Sequence, residues 1–256
     1  MTRPQAKRIA GTAALLLAVY LATLAFLFPA DIAWRIAEAR LGLPVTVTTA
    51  TVSGRIWNGR ADGLRVDGHE AGSLHWRLQP AALLRGRLGL TLRWESGGDR
   101  VDARLRLGTR SARATNVRGG LDASRIQAWF DLPLLLDGRL ELDLPRVRWN
   151  ADGGFTDAAG TLLWAGAGAG LPRPIRLGDY RAELAADSGR LEVRIDSSPD
   201  STLAAEGEAS WHPTGEYNVD LELRAAAGAD RNLVAALDSI AQRQADGSHR
   251  LQLSGR

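Results

Sequence analysis

Apolar and polar residues alternate with period two along most of this chain. Leu88, Leu90, Leu92 and Trp94 share one phase, and Arg87, Thr91, Arg93 and Glu95 the other. The pattern returns at 101–107, 140–144, 191–195 and 219–223. Successive side chains of a strand point to opposite faces, so each run predicts a strand with one dry and one wet side. This is the pattern of an antiparallel sheet buried on a single face, not of a parallel sheet buried on both. Turn pairs fall between the runs: Asp62-Gly63, Asp67-Gly68, Gly97-Gly98, Asp137-Gly138, Asp152-Gly153 and Asp246-Gly247. Glycine there supplies the positive φ that tight hairpins require.

Few helices are predicted: one over 32–41, a single turn at 80–84 and a short C-terminal helix within 230–242. The last has Leu233, Val234, Leu237 and Ile240 at helical spacing and Asp230 as its N-cap. The predicted fold is thus mainly β, a twisted, largely antiparallel sheet forming either an open groove or a sandwich. A groove wall and a sandwich core share the same alternation, so both stand. Gly166, Gly168, Gly170, Pro172 and Pro174 break regular structure, which predicts a flexible loop and a candidate subdivision near 165–174. Residues 83–90 and 135–142 echo one another, each with a tryptophan before it (Trp76, Trp129) and after it (Trp94, Trp149), as a repeated β unit or as ordinary hairpin grammar.

The first thirty residues follow a different rule. No charged side chain occurs from Ile9 to Ala30; Arg3, Lys7 and Arg8 precede the run and Asp31 closes it. About 20 apolar residues in a helix cross the hydrocarbon core, whereas secretory signal cores are roughly 7–15 residues long. The run predicts a retained transmembrane anchor over 9–30, with a signal peptide cleaved after Ala25 as the alternative. The basic residues Arg3, Lys7 and Arg8 are the topology determinants: they hold a tail of residues 1–8 in the cytoplasm and send residues 31–256, a β domain, across the membrane.

Charge enters the picture only through that tail. The net charge of +3 and the sequence pI of 9.9 suggest a nucleic-acid binder. Arg3, Lys7 and Arg8 account for the whole excess, and the remainder is neutral with arginines and acids interspersed. A nucleic-acid domain concentrates its positive charge on one face, so no nucleic-acid partner is expected. The absence of cysteine excludes thiol catalysis, thiolate metal sites and disulfides.

No catalytic constellation forms in the sequence. His69, His75, His212 and His249 lack metal-ligand spacing and read as surface or turn residues. Asp187-Ser188 and Asp196-Ser197 read as turn caps, and no Gly-x-Ser-x-Gly elbow occurs. Gly166-x-Gly168-x-Gly170 is followed by Leu171-Pro172-Arg173-Pro174, which prevents the helix a phosphate loop needs. No enzyme, metal or cofactor is expected.

Eight tryptophans remain. Trp34, just past the anchor, suits the headgroup level, and Trp94 shares the core phase of Leu88, Leu90 and Leu92. Trp57, Trp76, Trp129, Trp149 and Trp164 are the candidate interaction or groove face, with core packing as the alternative. Trp211 admits the same two readings.

The motifs as a set resemble a known family. They are Val52-x-Gly54-x-Ile56-Trp57-x-Gly59-x-Ala61, Leu74-x-Trp76-x-Leu78-x-Pro80-x-x-Leu83-Leu84-x-Gly86, Gly160-x-Leu162-x-Trp164, Gly178-x-Tyr180, and Asp246-Gly247 followed by Leu251-x-Leu253-x-Gly255. With the short basic tail and single anchor, this order resembles protein N of the type II secretion system. The resemblance implies an accessory, non-catalytic inner-membrane component with a structural or docking role in the periplasm, partnered by other inner-membrane subunits of that machinery. The chain is also similar in β style to AsmA-like proteins. That similarity implies an alternative, a lipid- or hydrophobe-handling groove of the cell envelope.

Overall fold

The computed structural model describes residues 27–41, 46–83, 86–130 and 134–255. Arg3, Lys7, Arg8 and nearly all of the predicted anchor lie outside the described residues. No described helix is long and apolar enough to cross a membrane. In chain order the elements are α1 (Ala30–Leu41), β1 (Val47–Thr48), β2 (Thr51–Arg55), β3 (Asn58–Val66), β4 (His69–Gln79), α2 (Pro80–Leu83), β5 (Leu88–Ser96), β6 (Asp99–Leu107) and β7 (Ser111–Asp122). Then come α3 (Ala123–Phe130), β8 (Leu135–Asn150), β9 (Gly154–Gly170), β10 (Ile175–Asp187), β11 (Arg190–Ser197), β12 (Leu203–Trp211), β13 (Tyr217–Ala225), α4 (Arg231–Ile240), β14 (Gln242–Arg243) and β15 (His249–Gly255).

The strands form one 15-stranded sheet, almost entirely in chain order. Every pairing is antiparallel. β1 and β2 share the outer side of β3, and β14 and β15 close the opposite edge. The sequence left a sandwich open; the structure replaces it with a single layer.

Because consecutive strands pair, alternate connections lie at the same end of the sheet. The chain reaches the sheet at one of these ends, where Pro29 bridges Arg55 and the Ile56 amide donates to the Phe28 carbonyl at 3.0 Å. Phe28–Ala30, assigned by sequence to the anchor, are thus joined to β2. We call this end proximal; it also carries α2 and the turns 108–110, 151–153, 188–189 and 212–216. The distal end carries α3, α4 and the turns 67–68, 97–98, 171–174 and 198–202.

Several sequence expectations change on contact with the structure. Asp67-Gly68 and Gly97-Gly98 are two-residue hairpin turns with positive φ at both positions, as expected, and Ser188-Gly189 is a third. Asp62-Gly63 and Asp137-Gly138 instead sit at bulges inside β3 and β8, where one extra residue bends the ladder. β9 runs unbroken to Gly170, so the glycines at 166, 168 and 170 are strand residues and the turn shrinks to 171–174. Pairing on both sides, with β8 and β10, overrides their poor local propensity. The echo at 83–90 and 135–142 is not a structural repeat: the first copy leaves α2 through a turn, while the second lies wholly in β8. Helix α3 went unpredicted; α1, α2 and α4 fall where the sequence placed them. Asp230 caps α4, its carboxylate accepting from the Asn232 amide at 2.7 Å.

Candidate interaction surface

The register builds two faces of opposite chemistry. One transverse row runs Val52, Ala61, Leu74, Trp94, Val101, Gly119, Leu142, Leu162, Ala182, Ile195, Gly207, Leu221 and Leu251, each residue directly opposite the next. Direct partners in an antiparallel pair point to the same face, so this row is one continuous apolar stripe across thirteen strands. Its members from Leu74 onward are half-buried, and no second sheet lies over them among the described residues.

Two positions in the stripe admit no side chain. A Cβ on Gly119 would meet the Arg100 carbonyl, and one on Gly207 the Asp220 carbonyl, inside contact distance in both cases. Neighbouring backbone therefore occupies the space a side chain would fill, which makes glycine obligatory there.

The opposite face is a charge ladder. Arg93, Asp102, Arg118 and Asp143 stand in register, as do Glu183, Arg194, Glu208 and Asp220. Ion pairs link Arg93 to Asp102 at 2.8 Å, Arg118 to Asp143 at 2.9 Å and Arg194 to Glu208 at 3.0 Å. Arg250 grips Asp220 with two bonds of 2.9 and 2.6 Å, and Gln252 adds a third; together they pull the Asp220 carboxyl down to about 2. Exposed pairs of this kind are screened by solvent and add little to stability. Their main consequence is to keep this face wet and fix which face is which.

Helices cover the apolar face only in part. Leu233 and Leu237 of α4 pack into a buried cluster with Leu177, Leu203, Ala205 and Leu223 at the distal end of β10, β12 and β13. His249, read from sequence as a surface residue, is 3% exposed on β15 beneath α4. Its Nε2 lies 2.7 Å from Asp238 on that helix, so a half-buried polar contact ties α4 to the sheet. α3 spans the distal ends of β7 and β8. Its Arg125 bonds Asp99 at 2.5 Å and the Ser96 carbonyl at 2.9 Å, while Arg139 of β8 reaches Asp99 at 3.2 Å. Burial pushes the Asp99 carboxyl up, but Arg125, the Asp122 backbone amide and Arg139 together outweigh it and hold it below the usual carboxylate range.

The candidate tryptophans do not form one cluster. Trp76, Trp149 and Trp164 lie on the apolar face, opposite Leu92, Ala112 and Leu140 respectively. Trp57 occupies the turn between β2 and β3, and Trp129 falls on α3. Trp76 lies over Gly59, donates to the Ile56 carbonyl at 3.0 Å and stacks on Trp34 with ring centroids 5.9 Å apart. Trp34 is thus packed on the sheet through the Trp76 ring, beside the proximal turn of β2 and β3. Trp164 donates to the Asp137 carbonyl at 2.9 Å and meets Tyr180 at 6.0 Å.

A further aromatic group escaped the sequence reading. Phe155 on β9 and Trp211 on β12 approach to 5.6 Å, although strands three apart in a flat sheet are about 14 Å apart. The Phe155 amide also donates to the Gly189 carbonyl at 2.9 Å. The sheet therefore curls toward its apolar face at the proximal end. Trp211 stands directly opposite Tyr217, and both are 45% exposed. The cue was available: a seven-residue span, Trp211 to Tyr217, with an aromatic at each end of a Pro-Thr-Gly turn.

A one-layer antiparallel meander, apolar on one face and charged on the other, defines a β-scaffold whose dominant feature is a surface rather than a pocket. The family model of Type II secretion system (T2SS), protein N matches residues 45–252. The chain belongs to that family. It is 28% identical over 166 residues to the Type II secretion system protein N of Vibrio cholerae serotype O1 (strain ATCC 39315 / El Tor Inaba N16961). That match covers 63% of this chain and 64% of the relative, so under two thirds of the relative's length is spanned. No solved structure matches the chain significantly.

Proposed function

We propose that this protein is an accessory, non-catalytic component of the type II secretion machinery. Segment 9–30 holds it in the inner membrane with Arg3, Lys7 and Arg8 inside, and residues 31–256 stand in the periplasm as a docking scaffold for other inner-membrane subunits. The observation that carries this reading is the family match over 45–252, which takes in nearly the whole sheet. The edges at β1–β2 and β14–β15 and the tryptophans Trp57, Trp76, Trp129, Trp149 and Trp164 are the proposed contact regions. An in-frame deletion in the native host tests it. Exoproteins should accumulate in the periplasm behind an intact outer membrane; normal secretion would refute the assignment.

A second reading, lipid or hydrophobe handling, is favoured by one feature. The apolar stripe has no covering layer among the described residues, and continuous exposed apolar surface in a folded domain usually meets a partner or a ligand. This reading expects phospholipid to copurify with the protein above the level found with a control. Mass spectrometry of an organic extract decides it.

A further inference from the structure

Two observations converge on the proximal end. First, the undescribed apolar segment ends there: Phe28 and Pro29 are tied to Ile56 and Arg55. Second, the two exposed aromatics among the described residues, Trp211 and Tyr217, stand at that end, with Leu253 beside them at 50% exposure and in register with Val219. Indole and phenol rings combine an apolar body with a polar tip and settle at the membrane–water boundary.

We propose that the proximal end of the sheet rests on the phospholipid headgroups along its length, with Trp211 and Tyr217 as a second foothold. The sheet then lies along the membrane surface, strands upright, rather than standing on its β1–β2 edge. This rests on the reading of 9–30 as an anchor. The anchor alone does not require it, because β3 and β12 are nine strand spacings apart, about 43 Å measured along the sheet. A tether at β2 leaves the far end free to lift; a foothold at the turn between β12 and β13 does not.

The cysteine-free chain allows a direct test. Single cysteines are introduced into the full chain by Asn58→Cys, Gly153→Cys, Thr214→Cys and, at the distal end, Asp200→Cys. A Cβ at Gly153 meets nothing within 4 Å, and the other three residues are exposed. Each variant is labelled with an environment-sensitive fluorophore and reconstituted in phosphatidylethanolamine–phosphatidylglycerol vesicles containing a headgroup nitroxide lipid. Labels at 58, 153 and 214 should each be quenched about twofold or more, with the label at 200 unchanged, as expected of groups at and away from the headgroup layer. Quenching at 58 alone means an upright sheet and overturns the proposal, as does quenching at 200. Paired substitution Trp211→Ser and Tyr217→Ser should relieve quenching at 214 while leaving it at 58, with circular dichroism confirming the fold. Chain that fails to float with the vesicles after an alkaline wash refutes the anchor itself, a separate outcome that takes the proposal with it.

Discussion

The junction of Gly59 and Trp76 gives a sharp quantitative test, because one residue exists to make room for the other. The three nearest atoms to a Cβ placed on Gly59 all belong to the Trp76 indole, and all are inside contact distance. Gly59→Ala in the natural sequence therefore forces the ring off its seat, an overpacking that costs about 1–3 kcal/mol. Trp76→Ala removes a half-buried ring. Full burial of such a ring is worth about 3–5 kcal/mol, so half of that, near 2, applies here. The lost 3.0 Å bond to Ile56 adds about 1 kcal/mol, and the stack on Trp34 about 0.5–1. The expected loss is therefore about 3–4 kcal/mol. In the double variant the clash is gone, and alanine restricts the unfolded chain by about 0.4–1 kcal/mol relative to glycine. The two effects should then couple by about 2 kcal/mol, the double variant being no less stable than Trp76→Ala alone. Urea unfolding of the full chain in mild detergent, followed by far-ultraviolet circular dichroism, measures all four corners of the cycle. Single losses that add to within about 0.5 kcal/mol would refute the claim that the indole occupies the Gly59 position.

Three other outcomes follow from the same geometry. Gly207→Ala should cost about 2–3 kcal/mol, because the obstacle is the Asp220 carbonyl and cannot rotate away; faster proteolytic nicking around β12 and β13 reads it out. Asp99, its folded carboxyl held below the free value of 3.8, contributes stability that is complete above the usual carboxylate range and fades as the pH falls through the folded value. Asp99→Asn should lower stability at neutral pH and flatten the acid limb of the curve, seen in thermal midpoints across a pH series. Burial pushes the Tyr180 phenol up to about 12 from 10.0, its hydroxyl donating to the Leu203 carbonyl at 2.7 Å. Its contribution should therefore persist whole below pH 10 and disappear as the pH climbs through 12. Tyr180→Phe should remove that last step from an ultraviolet absorbance titration.

The strands were legible because alternation is a local pattern: the runs at 88–94, 101–107, 140–144, 191–195 and 219–223 all fall within single strands. The cap at Asp230 and the spacing of Leu233 and Leu237 marked α4 for the same reason. What stayed hidden depended on pairing. No local cue separates the bulge at Asp137-Gly138 from the hairpin at Gly97-Gly98; the difference lies in whether a neighbouring strand continues past the glycine. The glycines of β9 likewise take their conformation from β8 and β10. α3 was missed because its eight residues are too short for a periodic stripe to stand out. Of the surface, the two-faced character was readable and the choice between sheet and sandwich was not, since a single layer and half of a double one carry the same alternation. His249 was misjudged because α4, which the local pattern around it does not announce, covers it.

The order of the strands also governs how this molecule comes into being. Nearly every strand takes as partner the one made just before it, so the ladder extends as the polypeptide emerges, amino end first. Most strands wait for no distant mate, so the entropy spent closing most loops is that of a short turn; the exception is β15, which reaches β13 across residues 226–248. A chain delivered as a thread can then assemble as a zipper, each hairpin templated by the finished margin of the last. Until β15 arrives, that margin is a bare strand, and the vulnerable species during synthesis is the half-zipped sheet rather than the unfolded chain.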